Sequence, residues 1–331
     1  MSPDTVQRIL VIGPSNIGDA VLAGEVIARL HERFPAAHLT LVVGARAAAL
    51  FQDDPRVRTL VDADAFSGWA GRVKLGLALW RFHPQIVVDL RHTALPLFLT
   101  PLTAWRYVLP PPRRIVHMRD RHLWKLRIQV AEWPSGRVIE DLFQCSLWFS
   151  EKDKAHIDSL CKRWSINGTM PLVIICPGAR SHIKRWTAEG FAQVADRLMA
   201  EQRAAVILSG EPAEQSIVDE VLAAMKHKAH NAVGLTTARQ AALLMQRARV
   251  VITNDSASLH LASAINAPTV AMFGPTDERK YGPTASQRRT VRRRLFCTPC
   301  EAALCRFHHE CMRFISPDEV YEAARDLLAN G

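Results

Sequence analysis

Short apolar runs rich in β-branched residues recur along the chain, and each leads through a turn into a stretch with helical spacing. RILVIG (8–13), LTLVVG (39–44), VRTLVD (57–62) and QIVVDL (85–90) have the length and composition of buried strands. Between them, 19–33 and 68–82 repeat apolar positions every three to four residues and predict helices. A second series begins at PLVIICPG (171–178) and continues through AAVILSG (204–210), RVVITND (249–255) and APTVAMFGP (267–275). Helical patterns over 187–202, 213–225, 237–248, 256–265 and 316–330 separate and follow these runs, with Thr187 in the N-cap position of the first. Strands alternating with helices predict an α/β protein with parallel sheets and crossover connections. Residues 139–150 predict one more helix. Residues 102–135, holding LPPPRR and a mixture of Arg, His and Trp, carry no clear period.

The 331 residues are enough for two such domains, and the pattern sets the change-over near 151–170. At 48% hydrophobic the chain can bury a core in each. Its net charge of +10 calls for an anionic partner: nucleotide, nucleic acid or acidic lipid surface. No apolar run reaches the ~18 residues of a membrane span. The opening MSPDTVQR carries an acid and runs straight into a strand, unlike a secretion signal. The expectation is a cytoplasmic protein with its seven cysteines reduced unless they hold a metal.

Candidate chemistry sits in the loops that follow strands. In GPSNIGDA (13–20), Gly13 and Gly18 have the spacing of a phosphate loop, but Asp19 stands where that loop needs Lys. A carboxylate there repels phosphate. It serves either as a first-turn acid stabilising its helix or as a general base. CPGARSHIKRW (176–186) sets Lys184 and Arg185 ahead of a helix start, either a pyrophosphate clamp or a solvated basic loop. TNDSASLHLASA (253–264) offers a helix start with the small residues Ser256, Ala257 and Ser258. His260 follows one turn later, as a ligand contact or a half-buried histidine. FGPTDERKYGP (273–283) places Thr276 after the next strand end. G-x-G-x-x-G is absent from the first loop, which argues against a dinucleotide oxidoreductase.

The order IG-x-x-x-x-GD, PGA-x-x-x-x-KRW, NDS-x-x-x-H and FGPTD resembles glycosyltransferase family 9, the bacterial ADP-heptose:lipopolysaccharide heptosyltransferases and their relatives. The resemblance spans nearly the whole chain and is weakest over 90–140. It implies a GT-B fold, two Rossmann-like domains whose parallel sheets face a central cleft. Residues 1–165 would be the acceptor-binding domain and 166–315 the nucleotide-sugar domain. Residues 316–331 would be a helix crossing back to the first. It implies an inverting transfer of heptose from ADP-heptose to the inner core of lipopolysaccharide, with Asp19 as base and no required metal. Lys184, Asp255, Ser256, Ala257, Ser258, His260, Glu214 and Thr276 would bind the donor. Gly18, Arg113, Arg119 and Arg121 would meet the acceptor. Ala257 departs from the glycine common after the Ser in relatives, which bears on the phosphate grip and the sugar.

Cys297, Cys300, Cys305 and Cys311 cluster late in the chain, beside His308 and His309. They suit a structural zinc site, packed thiols or a redox-sensitive disulfide. The arginines at 288–294 form a basic run whose plainest role is a solvated face. The expected partners are an ADP-sugar, an anionic lipopolysaccharide-type acceptor and, peripherally, the inner face of the inner membrane. No nucleic-acid motif accompanies the basic residues, and a monomer is expected. The competing functions are transfer of another sugar, a nucleotide-sugar 2-epimerase, which shares the GT-B fold, and a non-enzymatic metal-stabilised binding module.

Overall fold

The computed structural model describes residues 5–130, 133 and 147–330. The chain divides into two compact units, Met1–Trp148 and Phe149–Gly331.

In the first unit β1 (Arg8–Ile12), β2 (His38–Val43), β3 (Thr59–Asp62) and β4 (Ile86–Asp89) form a parallel sheet in the order β3-β2-β1-β4. Helices α1 (Ile17–Arg33), α2 (Ala45–Phe51) and α3 (Gly68–Arg81) make the crossovers, and α4 (Leu95–Leu99), α5 (Trp105–Val108) and α6 (Met118–Gln129) follow β4. The central strand β1 is covered on both faces, so Ile9 to Ile12 are all buried and read as a continuous apolar run. The unpatterned stretch 102–135 resolves into α5 and α6. Helix α6 buries His122, Lys125 and Gln129 along with Leu123 and Leu126, and those polar residues mask its period. The helix expected over 139–150 lies outside the described residues except for 147–150, which precede α7 without regular structure.

The second unit starts with α7 (Glu151–Arg163), whose capping box joins Ser150 and Asp153. Then come β5 (Leu172–Cys176), α8 (Ala188–Gln202), β6 (Ala205–Leu208), α9 (Gln215–Ala224), β7 (His230–Asn231), α10 (Ala238–Met245), β8 (Val250–Asn254) and α11 (Ala257–Ala264). β9 (Thr269–Phe273), α12 (Glu278–Tyr281), β10 (Arg288–Arg292), α13 (Glu310–Arg313) and α14 (Pro317–Asn330) complete it. All strands are parallel, in the order β10-β9-β8-β5-β6-β7. The basic run at 288–292 is thus the edge strand β10, where charge is tolerated because one side faces solvent.

The division between the units falls earlier than the expected residue 165. Residues 151–165 belong with the second unit: α7 packs on α10, and Asp153 meets Arg239 at 2.9 Å. Helix α14 packs on α8, β8, β9 and β10. Its amphipathic stripe, Val320, Tyr321, Ala324 and Leu327, enters the second unit's core. The Tyr321 hydroxyl donates to Glu201 at 2.6 Å and accepts from Gln202 at 3.0 Å.

Candidate active site

In each open parallel sheet, ligands bind outside the carboxyl ends of strands where the order reverses. In the second unit that point lies between β5 and β8. The side chain of Asn254, at the end of β8, fastens the two loops there. Its Oδ1 accepts from Trp186 N at 3.0 Å and its Nδ2 donates to the Pro177 carbonyl at 2.8 Å. This brings Lys184 to Asp255: Nζ donates to Oδ2 at 2.7 Å across 71 residues of sequence. Asp255 is 6% exposed and Lys184 30%, so the pair is open from the cation's side. Helix α11 begins beside it. Its N-cap Ser256 is extended and makes no side-chain cap, which leaves first-turn N–H groups available to an incoming anion.

The remaining residues fit around this point. The Glu214 carboxylate lies against the α-carbons of Gly178 and Gly210, at the starts of the loops after β5 and β6. Glu214 is held by the Glu211 N–H at 2.9 Å. No side chain larger than hydrogen fits at Gly178 while Glu214 stays there. Ser258 bonds the Cys176 thiol, whose pKa is pushed up to about 12 by burial against the weaker effect of that bond. This thiol is a packing group. His260 is buried and sits edge-on to Tyr281 of α12, ring centres 6.4 Å apart. Thr276 is buried next to Asp277. Asp277 caps α12 and holds Arg279 at 2.8 Å, and those bonds from Arg279 keep its carboxyl below the usual range.

In the first unit the order reverses between β1 and β4. Asp19 sits there, in the first turn of α1 and partly exposed, with Gly18 beside it. Among the described residues, no hydrogen-bond or ion-pair partner sits on its carboxylate. The neighbouring loop after β4 is built by residues that the sequence pattern does not single out. Asp89 accepts from the Arg91 and Thr93 N–H groups at 2.8 and 2.6 Å. Gln129 bonds the Asp89 N–H and carbonyl at 2.9 and 3.1 Å, and Lys125 Nζ donates to the Leu90 carbonyl at 2.7 Å. Burial draws Lys125 down to about 8, against the pull of Asp89. Burial and the Lys125 charge draw His122 down to about 3. The only sequence signal for this group is polar residues at helical spacing over 122–129.

The acceptor candidates divide. Arg113 is exposed. Arg119 is bound to Glu25 of α1 at 2.6 Å, and Arg121 donates to the Ile115 carbonyl at 3.1 Å, so both hold α6 in place. The cysteine cluster does not bear out the zinc reading. Cys297, Cys300, Cys305 and Cys311 border one cavity of about 260 Å³. Yet among the described residues no group of three or more His, Cys, Asp or Glu side chains is set to hold a metal ion. Cys305 Sγ is turned onto its own loop, donating to the Phe307 carbonyl at 2.7 Å. Cys311 is buried, and its thiol is pushed up to about 11 by that burial and by the other three cysteines. Zinc is not supported by this placement.

Comparison with known proteins agrees with the geometry. The model of glycosyltransferase family 9 (heptosyltransferase) matches residues 141–310, just over half of the chain. The chain is 28% identical to lipopolysaccharide heptosyltransferase 2 of Escherichia coli K12, covering 86% of this chain and 88% of that protein. It is 27% identical to lipopolysaccharide heptosyltransferase 2 of Salmonella typhimurium LT2, over 97% and 99%. Among solved structures it is similar to E. coli ADP-heptose lipopolysaccharide heptosyltransferase II, with a TM-score of 0.74 and 24% identity over 98% and 99% of the two chains. It is also similar to a family 9 glycosyltransferase from Veillonella parvula, with a TM-score of 0.76 and 21% identity over 100% and 99%. These structural likenesses establish the fold, GT-B.

Proposed function

This chain belongs to glycosyltransferase family 9, and we propose that it transfers heptose from an ADP-activated donor to the inner core of lipopolysaccharide, with inversion. The relatives named above carry that substrate class in their names, which supports the same donor and acceptor here. The observation that carries the donor half is the Lys184–Asp255 pair beside the start of α11, at the reversal point of the second sheet. As the glycosidic bond breaks, negative charge grows on the diphosphate. Lys184 and the α11 N–H groups meet that charge without a required metal. Asp255 keeps the lysine pinned beforehand, and the diphosphate competes for it. Glu214, Ser256, Ala257, Ser258, His260 and Thr276 surround the rest of the donor, with Glu214 toward the ribose.

Asp19 takes the proton from the acceptor hydroxyl as that oxygen attacks the anomeric carbon from the face opposite the leaving group. With no partner on its carboxylate among the described residues, Asp19 has a lone pair open to that proton. Gly18 leaves room for the sugar, and Arg113 meets acceptor phosphate or acid. No helix among the described residues is long and apolar enough to cross a membrane. An acceptor of this kind is anchored in lipid, so the enzyme works at the cytoplasmic membrane surface.

A panel of nucleotides and nucleotide sugars tests the donor. ADP and ADP-heptose should raise the melting temperature and UDP-sugars should not, because only a ligand of the folded state stabilises it. Stabilisation by UDP-sugars alone would reject the proposed donor. Transfer of heptose to a deacylated inner-core acceptor tests the reaction. The 2-epimerase shares only the fold, with a TM-score of 0.54 at 11% identity to the Listeria monocytogenes protein.

A further inference from the structure

A surface helix normally buries one apolar stripe and shows a polar face to water. Helix α3 breaks that rule. It buries Leu75 and Leu79 but presents Trp69, Val73, Leu77 and Trp80 outward, with Trp69 80% exposed. The segment after β4 does the same: Phe98 is 75% exposed, Leu102 94% and Trp105 57%. Among the described residues, ten of the sixteen large exposed hydrophobic side chains lie between Trp69 and Leu109. Val73, Leu77, Trp80 and Phe98 line one groove of about 1120 Å³ in the first unit, where α3 packs on α4. An apolar surface of this size is left open to water only where something covers it.

Charge identifies the cover. From Asp64 to Arg119 the chain has eight Lys and Arg residues and two acids: Asp89, which is 1% exposed, and Asp64, which lines the groove and accepts from the Ala45 N–H at 2.9 Å. Arg72, Lys74 and Arg81 of α3 and Arg91, Arg113 and Arg114 beyond it are exposed around the apolar residues. A second copy in a symmetric dimer would set this basic face against itself. An anionic bilayer surface meets both requirements: acyl chains for the Trp, Phe and Leu side chains, and lipid phosphates for the Arg and Lys. We propose that α3, α4 and the segment through α5 form the membrane-docking face of the first unit, and that its ligand is an anionic lipid leaflet. This deepens the proposed function, since the acceptor is a lipid, but it does not depend on which sugar is transferred.

Flotation of the full chain with vesicles tests it. Binding to phosphatidylglycerol–phosphatidylethanolamine vesicles should exceed binding to phosphatidylcholine vesicles, and it should weaken with added salt as the Debye length shrinks. The triple variant Phe98→Ser, Leu102→Ser, Trp105→Ser should lose about tenfold or more in vesicle affinity. Its melting temperature should be unchanged, because these side chains are exposed, and so should its rate on a soluble deacylated acceptor. No vesicle binding by the wild type would overturn the proposal, as would equal binding by the triple variant. A dimer in sedimentation that the triple variant dissolves would replace the bilayer with a second copy. Vesicle binding without any heptose transfer would reject the function and leave the docking face standing.

Discussion

The two units place the same first four strands in the same parallel order, and in each a loop with chemistry follows the first strand. They resolve that loop in opposite ways. In the second unit the charges are neutralised in advance: Lys184 is held by Asp255, and Asn254 ties the loop to the sheet. In the first unit Asp19 is left partly exposed, with no partner among the described residues. The polar neighbours there, Lys125 and Gln129, spend their bonds on backbone at Asp89 and Leu90. A leaving diphosphate needs fixed positive charge before the reaction begins, because preorganised charge costs no rearrangement at the transition state. A base needs an unoccupied lone pair. On the proposed function the same topology serves both needs, because function rests on the loops rather than the sheet.

The largest test separates the two loops. Asp19→Asn should lower transfer about 10²–10⁴-fold while ADP still raises the melting temperature as in the wild type. Wild-type turnover would remove Asp19 as base. Loss of ADP stabilisation would mean the first loop also binds donor, and the contrast would fail.

Lys184→Met comes next. It should cost about 1.5–3 kcal/mol in ADP binding, read by calorimetry, since one charge-assisted bond is lost. It should also lower stability, because Asp255, 6% exposed, is left buried without its cation. Adding Asp255→Asn should recover the stability but not the ADP affinity. Recovery of both would make the pair purely structural.

A third test uses pH. The folded pKa of His122 is about 3, against 6.5 for the free side chain, because the ring is buried next to Lys125. Between those values the unfolded chain holds the proton and the folded chain does not. Stability is therefore fully present above pH 6.5 and is lost as pH falls through the window. At pH 5 the loss is about 2 kcal/mol. His122→Gln should flatten the melting temperature between pH 6.5 and 4, and an unchanged slope would place the acid sensitivity elsewhere. The second unit's site holds ion pairs instead, so acid should loosen the first unit sooner.

Most strands and the four strand-end loops were legible because β1, β5, β8 and β9 are buried on both faces and spell unbroken apolar runs. What escaped has physical reasons. Strand β7 is two residues long and β10 is an arginine-rich edge, so neither carries an apolar run. Helix α6 buries a Lys, a His and a Gln that find backbone partners only in three dimensions. Lys184 and Asp255 could each be singled out from sequence, but their pairing could not, since nothing local links residues 71 positions apart. Arg119 and Arg121 were legible as cations, but their intramolecular partners were not. A basic cluster suggests a ligand, yet one partner is Glu25 and the other a backbone carbonyl.

The smallest effect compares one glycine from each unit. At Gly178 a β-carbon would overlap the Glu214 carboxylate, the far end of a flexible side chain. At Gly44 it would meet Ser15 at 2.7 Å, in the loop that leads to Asp19. Ser15 is short and its Oγ is buried, so it has little room to move. Gly178→Ala should therefore cost only about 1 kcal/mol of stability, the low end for overpacking, because Glu214 can swing away. That swing removes the carboxylate from the donor site, so ADP affinity should fall several-fold. Gly44→Ala should leave ADP affinity alone, cost more stability, and lower transfer by shifting the Asp19 loop. Equal effects of the two substitutions on ADP binding, measured by calorimetry, would show that Glu214 has no part in holding the donor.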